Sequence, residues 1–109
     1  MARNYLKFND YIVEKLRDAT EAKAFLEAAI KEYEKDNDAA ALMLALRYIT
    51  EAQGGVPQLS ERAHLNLQNL YKILTGKTIP RFDTLISIIN GLGFHFALKS
   101  INHSRSNRK

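Results

Sequence analysis

Gln68, Asn69 and Lys72 are the side chains of this chain whose types and spacing suit a defined chemistry: two amides and an ammonium, offered from one short helical stretch. Gln68 can both donate to and accept from an adenine edge, Lys72 can donate to guanine, and Leu67 can touch a thymine methyl. Lys77 and Arg81, further on, can neutralise phosphates and so position a helix without reading sequence. Tyr71, in the middle of the same stretch, is either a phosphate donor or a packed core ring; the first is favoured.

Catalysis has no comparable basis, and no enzyme is expected. His64, His95 and His103 lie in a corner, a strand-like stretch and a tail, without the His-x-x-x-His or Glu-x-x-His spacing that turns side chains toward one metal. Glu32 and Glu34, like Asp36 and Asp38, lie in hydrophilic surroundings unsuited to general acid or base work. Phosphate loop, dinucleotide fingerprint and Ser elbow are all missing, so neither cofactor nor metal is expected. Cysteine is absent, which removes disulfides and thiolate sites.

The DNA-suited side chains must be held by VPQLSERAHLNLQNLYKILTGK, residues 56–77, which reads as two short helices joined by a tight corner. Leu59 and Ala63 recur at helical spacing before the corner, Leu65 sits in it, and Leu70, Ile73 and Leu74 continue the apolar pattern beyond. Gly54 and Gly55 end the preceding element, and Pro57 suits the first turn of a helix over 57–63. His64, Leu65 and Asn66 form the corner; Asn66 caps a helix over 67–75, and Gly76 stops it. Such a pair cannot bury its apolar side alone.

Its support comes from both sides. Residues 4–17 place Tyr5, Phe8, Ile12 and Leu16 at helical spacing, although Tyr11, Ile12 and Val13 also suit a strand. Residues 18–34 predict a helix capped by Asp18 or Thr20, burying Ala22, Phe25, Leu26, Ala29, Ile30 and Tyr33. Asn37 or Asp38 caps the next helix, 39–53, with Leu42, Leu46 and Ile49 inward and Met43 and Leu44 widening that face. Downstream, a helix over 82–90 is predicted to bury Phe82, Leu85, Ile86 and Ile89. FHFAL, residues 94–98, alternates like a half-buried strand, to be paired with the N-terminal segment or with its copy in a second subunit.

Charge divides unevenly. Residues 1–55 carry eight Lys or Arg against ten Asp or Glu, whereas residues 56–109 carry eight against two. The basic half suits a polyanion and the acidic half a basic partner, the alternative being an uneven solvated surface. No apolar run approaches the roughly 20 residues of a membrane span. MARNYLKFND lacks the apolar core of a secretion signal, so a cytoplasmic protein is expected.

From Gly55 to Leu98 the chain resembles the helix-turn-helix domain of the Cro and lambda-repressor type. LYKILTGKTIPRFDTLISIINGLGF is similar more narrowly to the HigA-like addiction-module antidotes, as is DYIVEKLRDATEAKAFLEAAIKE near the start. The resemblance implies an all-α, lambda-repressor-like bundle: an N-terminal helical extension over 1–38 and a helix-turn-helix domain over 39–98, which would end in the short C-terminal strand. The tail over 99–109, basic with no acid and little apolar content, is expected to be disordered. It also implies a homodimer that binds operator DNA, represses its own operon and neutralises a cognate toxin, a small basic RelE-like ribonuclease. By position, Gln58 takes the phosphate contact that opens the second helix. Leu67, Gln68 and Lys72 face bases with Asn66 and Asn69 beside them, and Lys77, Thr78 and Arg81 match the loop that grips the backbone. The family pattern departs at His64, where Gly is usual and positive φ must be tolerated, and at Ser60, where a small Ala is usual. A stand-alone repressor, or an interaction module with incidental DNA binding, is the alternative.

Overall fold

The computed structural model describes residues 2–101, and side chains from residue 9 onward. Six helices follow one another: α1 (Ala2–Lys15), α2 (Ala19–Asp36), α3 (Ala39–Ala52), α4 (Val56–Ala63), α5 (Leu67–Leu74) and α6 (Phe82–Gly91). The first stretch therefore resolves as helix, with Leu16 buried at its end and Ile12 packed on the core. Tyr5 and Phe8 have side chains outside the described residues.

Local polar chemistry sets the breaks. Asp18 is the α2 cap, its carboxylate accepting from the backbone N–H of Thr20 at 2.8 Å and of Glu21 at 3.1 Å. Asn37 and Asp38 divide the work of the next junction. Asn37 takes left-handed φ of 59° and ends α2, while the Asp38 carboxylate accepts from Ala41 N–H at 3.1 Å and starts α3. Gly54 and Gly55, at φ of 114° and 102°, turn the chain from α3 into α4, a conformation that a side chain would strain.

α3 is the central strut, touching α1, α2, α4 and α5, while α6 lies on α4. Leu46, Ile49, Leu59, Leu70 and Ile88 are fully buried. Leu16, Ala22 and Leu26 join the same cluster from the N-terminal side. Each such side chain contributes on the order of 1.5–3 kcal/mol of burial, which the short helices lack in isolation.

Four expectations need correction. Tyr33, near the end of α2, is exposed and not buried with Ala22 and Leu26. Leu44 does not widen the buried face of α3 but is 42% exposed. Phe82 is 73% exposed although it shares a side of α6 with Leu85 and Ile89: it stands at the first position of the helix, and its ring lies 6.2 Å from that of the exposed Phe96. The strand over 94–98 does not form, and no strand occurs among the described residues. Of the two partners expected for it, the N-terminal segment is spent in α1, so it pairs with nothing among the described residues; the other was its copy in a second subunit. Phe94 instead folds back: its N–H donates to Ile89 O at 3.1 Å, and Asn90 Nδ2 donates to Phe94 O at 2.8 Å. Beyond it Phe96 and Leu98 are exposed. Of the tail, residues 102–109 lie outside the described residues. Among those described, no helix is long and apolar enough to cross a membrane.

Candidate nucleic-acid interface

α4 and α5 are joined by an abrupt corner fixed by its own hydrogen bonds. His64 ends α4 at φ 57° and ψ 46°, and its N–H donates to Ser60 O. Leu65 N–H reaches the same carbonyl at 3.1 Å, while Ser60 Oγ donates to Leu65 O at 2.6 Å. Ser60 thus does more than stay small enough for packing. Its hydroxyl and carbonyl both clasp the residue after the left-handed turn, which explains how the corner accommodates a β-carbon at position 64.

Asn66 then starts α5, its side-chain oxygen accepting from Asn69 N–H at 2.9 Å. With 100° between successive residues, Leu70, Ile73 and Leu74 fall on one side, and all three are buried. The opposite side carries Gln68 and Lys72, both exposed. Tyr71 flanks them with 46% of its surface free, which decides against a packed core ring. Asn69 lies at one edge of the outward face, and Leu67, 39% exposed, lies at the other beside the core. Thr75 shares the Gln68 and Lys72 face and was not singled out from sequence, although its spacing of seven from Gln68 would have found it. Its hydroxyl donates to Tyr71 O at 2.8 Å and so extends the end of the helix.

The loop after α5 brings cations. Gly76 at φ 82° lets Lys77 N–H return to Lys72 O at 2.9 Å, closing the helix. Lys77 and Thr78 are exposed. Arg81 occupies the residue before α6 and lies 3.4 Å from Asp83, with side chains 85% and 70% exposed. So exposed a pair is weak and can exchange for a phosphate. Residues 56–101 hold five Lys or Arg against two Asp or Glu, an electrostatic balance suited to a polyanion.

Gln58 behaves differently from the others. Its amide is folded back, lying so close to Gly54 that a β-carbon there would meet Oε1 at 2.5 Å, and 3.5 Å from Arg62. Arg62 is a further residue that sequence did not reveal. Its guanidinium donates to Gly91 O at 2.9 Å and to Gln53 at 3.2 Å, while Gln53 Nε2 donates to Leu92 O at 2.8 Å. These bonds tie the end of α6 to α3 and α4, joining residues too far apart in the chain for spacing to signal them.

A family model described as "Probable addiction module antidote protein" matches residues 4–100, a span that takes in the corner, the α5 face and the helices before them. No curated protein and no solved structure matches the chain.

Proposed function

The chain belongs to the family described as "Probable addiction module antidote protein", and we propose on that premise that it neutralises a co-encoded toxin and, as a cytoplasmic homodimer, binds operator DNA to repress its own operon. The α4–α5 pair is the helix-turn-helix of this reading, of the Cro and lambda-repressor kind, and the protein is a HigA-like antitoxin rather than an enzyme. The observation that carries the DNA half is the division of α5: Leu70, Ile73 and Leu74 buried, Gln68 and Lys72 free on the reverse side. A helix so divided can enter a major groove with its amide and ammonium toward base edges.

In this reading Gln68 pairs with an adenine edge, Lys72 with guanine and Leu67 with a thymine methyl. Asn66 and Asn69 stand beside them. Lys77, Thr78, Arg81 and Tyr71 hold the phosphates, which orients α5 without reading sequence. Gln58 reaches a phosphate after leaving its place over Gly54. Two such helices in a dimer would meet half-sites about 34–36 Å apart. The toxin is a small basic ribonuclease of the RelE-like kind.

The test joins both halves. The reading frame adjacent to this one is expressed alone and with this chain, and a reporter driven by the shared promoter is followed. Growth arrest relieved by this chain, together with reporter repression, is expected. An adjacent product that is harmless alone removes the antitoxin half, and an unrepressed reporter removes the DNA half.

A further inference from the structure

α3 has a second face, opposite its core side, that the DNA reading does not use. Leu42, Leu46 and Ile49 point into the core, whereas Leu44, Arg47, Tyr48 and Glu51 form a stripe on the far side at helical spacing. α1 runs along that stripe and adds Asp10, Val13, Glu14 and Arg17, leaving a groove of about 440 Å³ between the two helices. Its middle is apolar: Leu44 is 42% exposed, and Val13 and Tyr48 are half-buried beside it. The Tyr48 hydroxyl is fixed by donating to Asn9 Oδ1 at 2.9 Å.

The lining carries three carboxylates, Asp10, Glu14 and Glu51, against two guanidiniums, Arg17 and Arg47. Glu14 pairs with Arg17 at 3.4 Å, but Asp10 and Glu51 enter none of the ion pairs among the described residues. The acidic half agrees in sign, residues 1–55 carrying ten Asp or Glu against eight Lys or Arg. The excess of carboxylates, with Asp10 and Glu51 outside those pairs, favours a basic protein segment over a polyanion.

Resting on the antitoxin reading, we infer that this groove seats the toxin. A cationic segment of the toxin places Lys or Arg side chains against Asp10 and Glu51 and an apolar side chain on Leu44, Val13 and Tyr48. Because the groove lies on the side of α3 away from its core face, the toxin and the DNA occupy different faces of the same chain.

The experiment measures the affinity of the purified product of the adjacent reading frame for the full chain and for Leu44→Arg, Glu51→Lys and Glu27→Lys. Glu27 is exposed on α2 and does not line the groove, so its reversal controls for charge alone. Leu44→Arg and Glu51→Lys are expected to weaken binding by about tenfold or more, with unchanged unfolding temperatures, while Glu27→Lys binds like the wild type. Equal affinity of all four proteins overturns the groove and leaves the antitoxin reading standing. An equal loss in Glu27→Lys also overturns it, since general charge would then suffice. A wild-type chain that binds nothing overturns the antitoxin reading itself, and the groove with it.

Discussion

His64 holds φ 57° with a β-carbon in place, a conformation that costs an L residue roughly 1–2 kcal/mol. His64→Gly removes that cost but adds freedom to the unfolded chain, so a net gain of roughly 0.5–1 kcal/mol is expected. Urea unfolding reads it directly; a loss of stability would mean that the imidazole makes a contact worth more than the strain. On α5 the roles separate by what each side chain can reach. Gln68→Ala and Lys72→Ala should each cost about 1–3 kcal/mol on the operator and relax preference at one base position, whereas Arg81→Ala should weaken every duplex alike. Competition between operator and unrelated DNA distinguishes these outcomes.

The elements hold those residues through a few close contacts, and two substitutions test them. A β-carbon at Gly91 would meet Leu59 Cδ1 at 2.7 Å and Ala63 Cβ at 3.2 Å, and Leu59 is fully buried, so its methyl gives way only by disturbing the core around it. Gly91→Ala should therefore separate α6 from α4 and cost about 1–3 kcal/mol, visible as a lower unfolding temperature. Ser60→Ala loses the bond to Leu65 O and should cost roughly 0.5–1 kcal/mol once alanine's better helix propensity is offset. The same local chemistry explains what was readable in the sequence. Asp18, Asp38, Asn66 and Gly76 marked helix ends because caps act over three or four residues, and Leu70, Ile73 and Leu74 gave the inward side of α5 by period alone. Leu44 was misplaced because a stripe's width depends on which neighbours it meets, and Phe82 and Tyr33 because period gives a side of a helix but not how far along it the core extends. Residues 94–98 alternated like a strand, yet a strand needs a partner, and α1 does not supply one. The bonds of Arg62 to Gly91 O and Gln53 were invisible for a similar reason, since they exist only after three helices have assembled. The α5 face was legible as Gln68 and Lys72; the folded-back posture of Gln58 over Gly54 was not.

At the scale of the molecule, α3 separates two surfaces while sharing one core with both sides. The acidic helices pack on it from the N-terminal side, and the corner with its cations is built on it from the other. That division lets one small chain offer different charge to different partners, and it makes the DNA reading quantitative. Lys77 and Arg81 from each of two subunits would release counterions at four phosphates, giving a slope of about −3 to −4 in log affinity against log salt from these side chains alone. The most direct test is to titrate the intact protein onto its own promoter over a range of salt, beside an unrelated duplex of equal length, for the wild type and for Gln68→Ala with Lys72→Ala. The α5 reading predicts a steep slope, tight binding to the promoter alone, and loss of that preference in the double variant with the slope largely kept. A salt-independent affinity, or a double variant that still prefers its promoter, would contradict it.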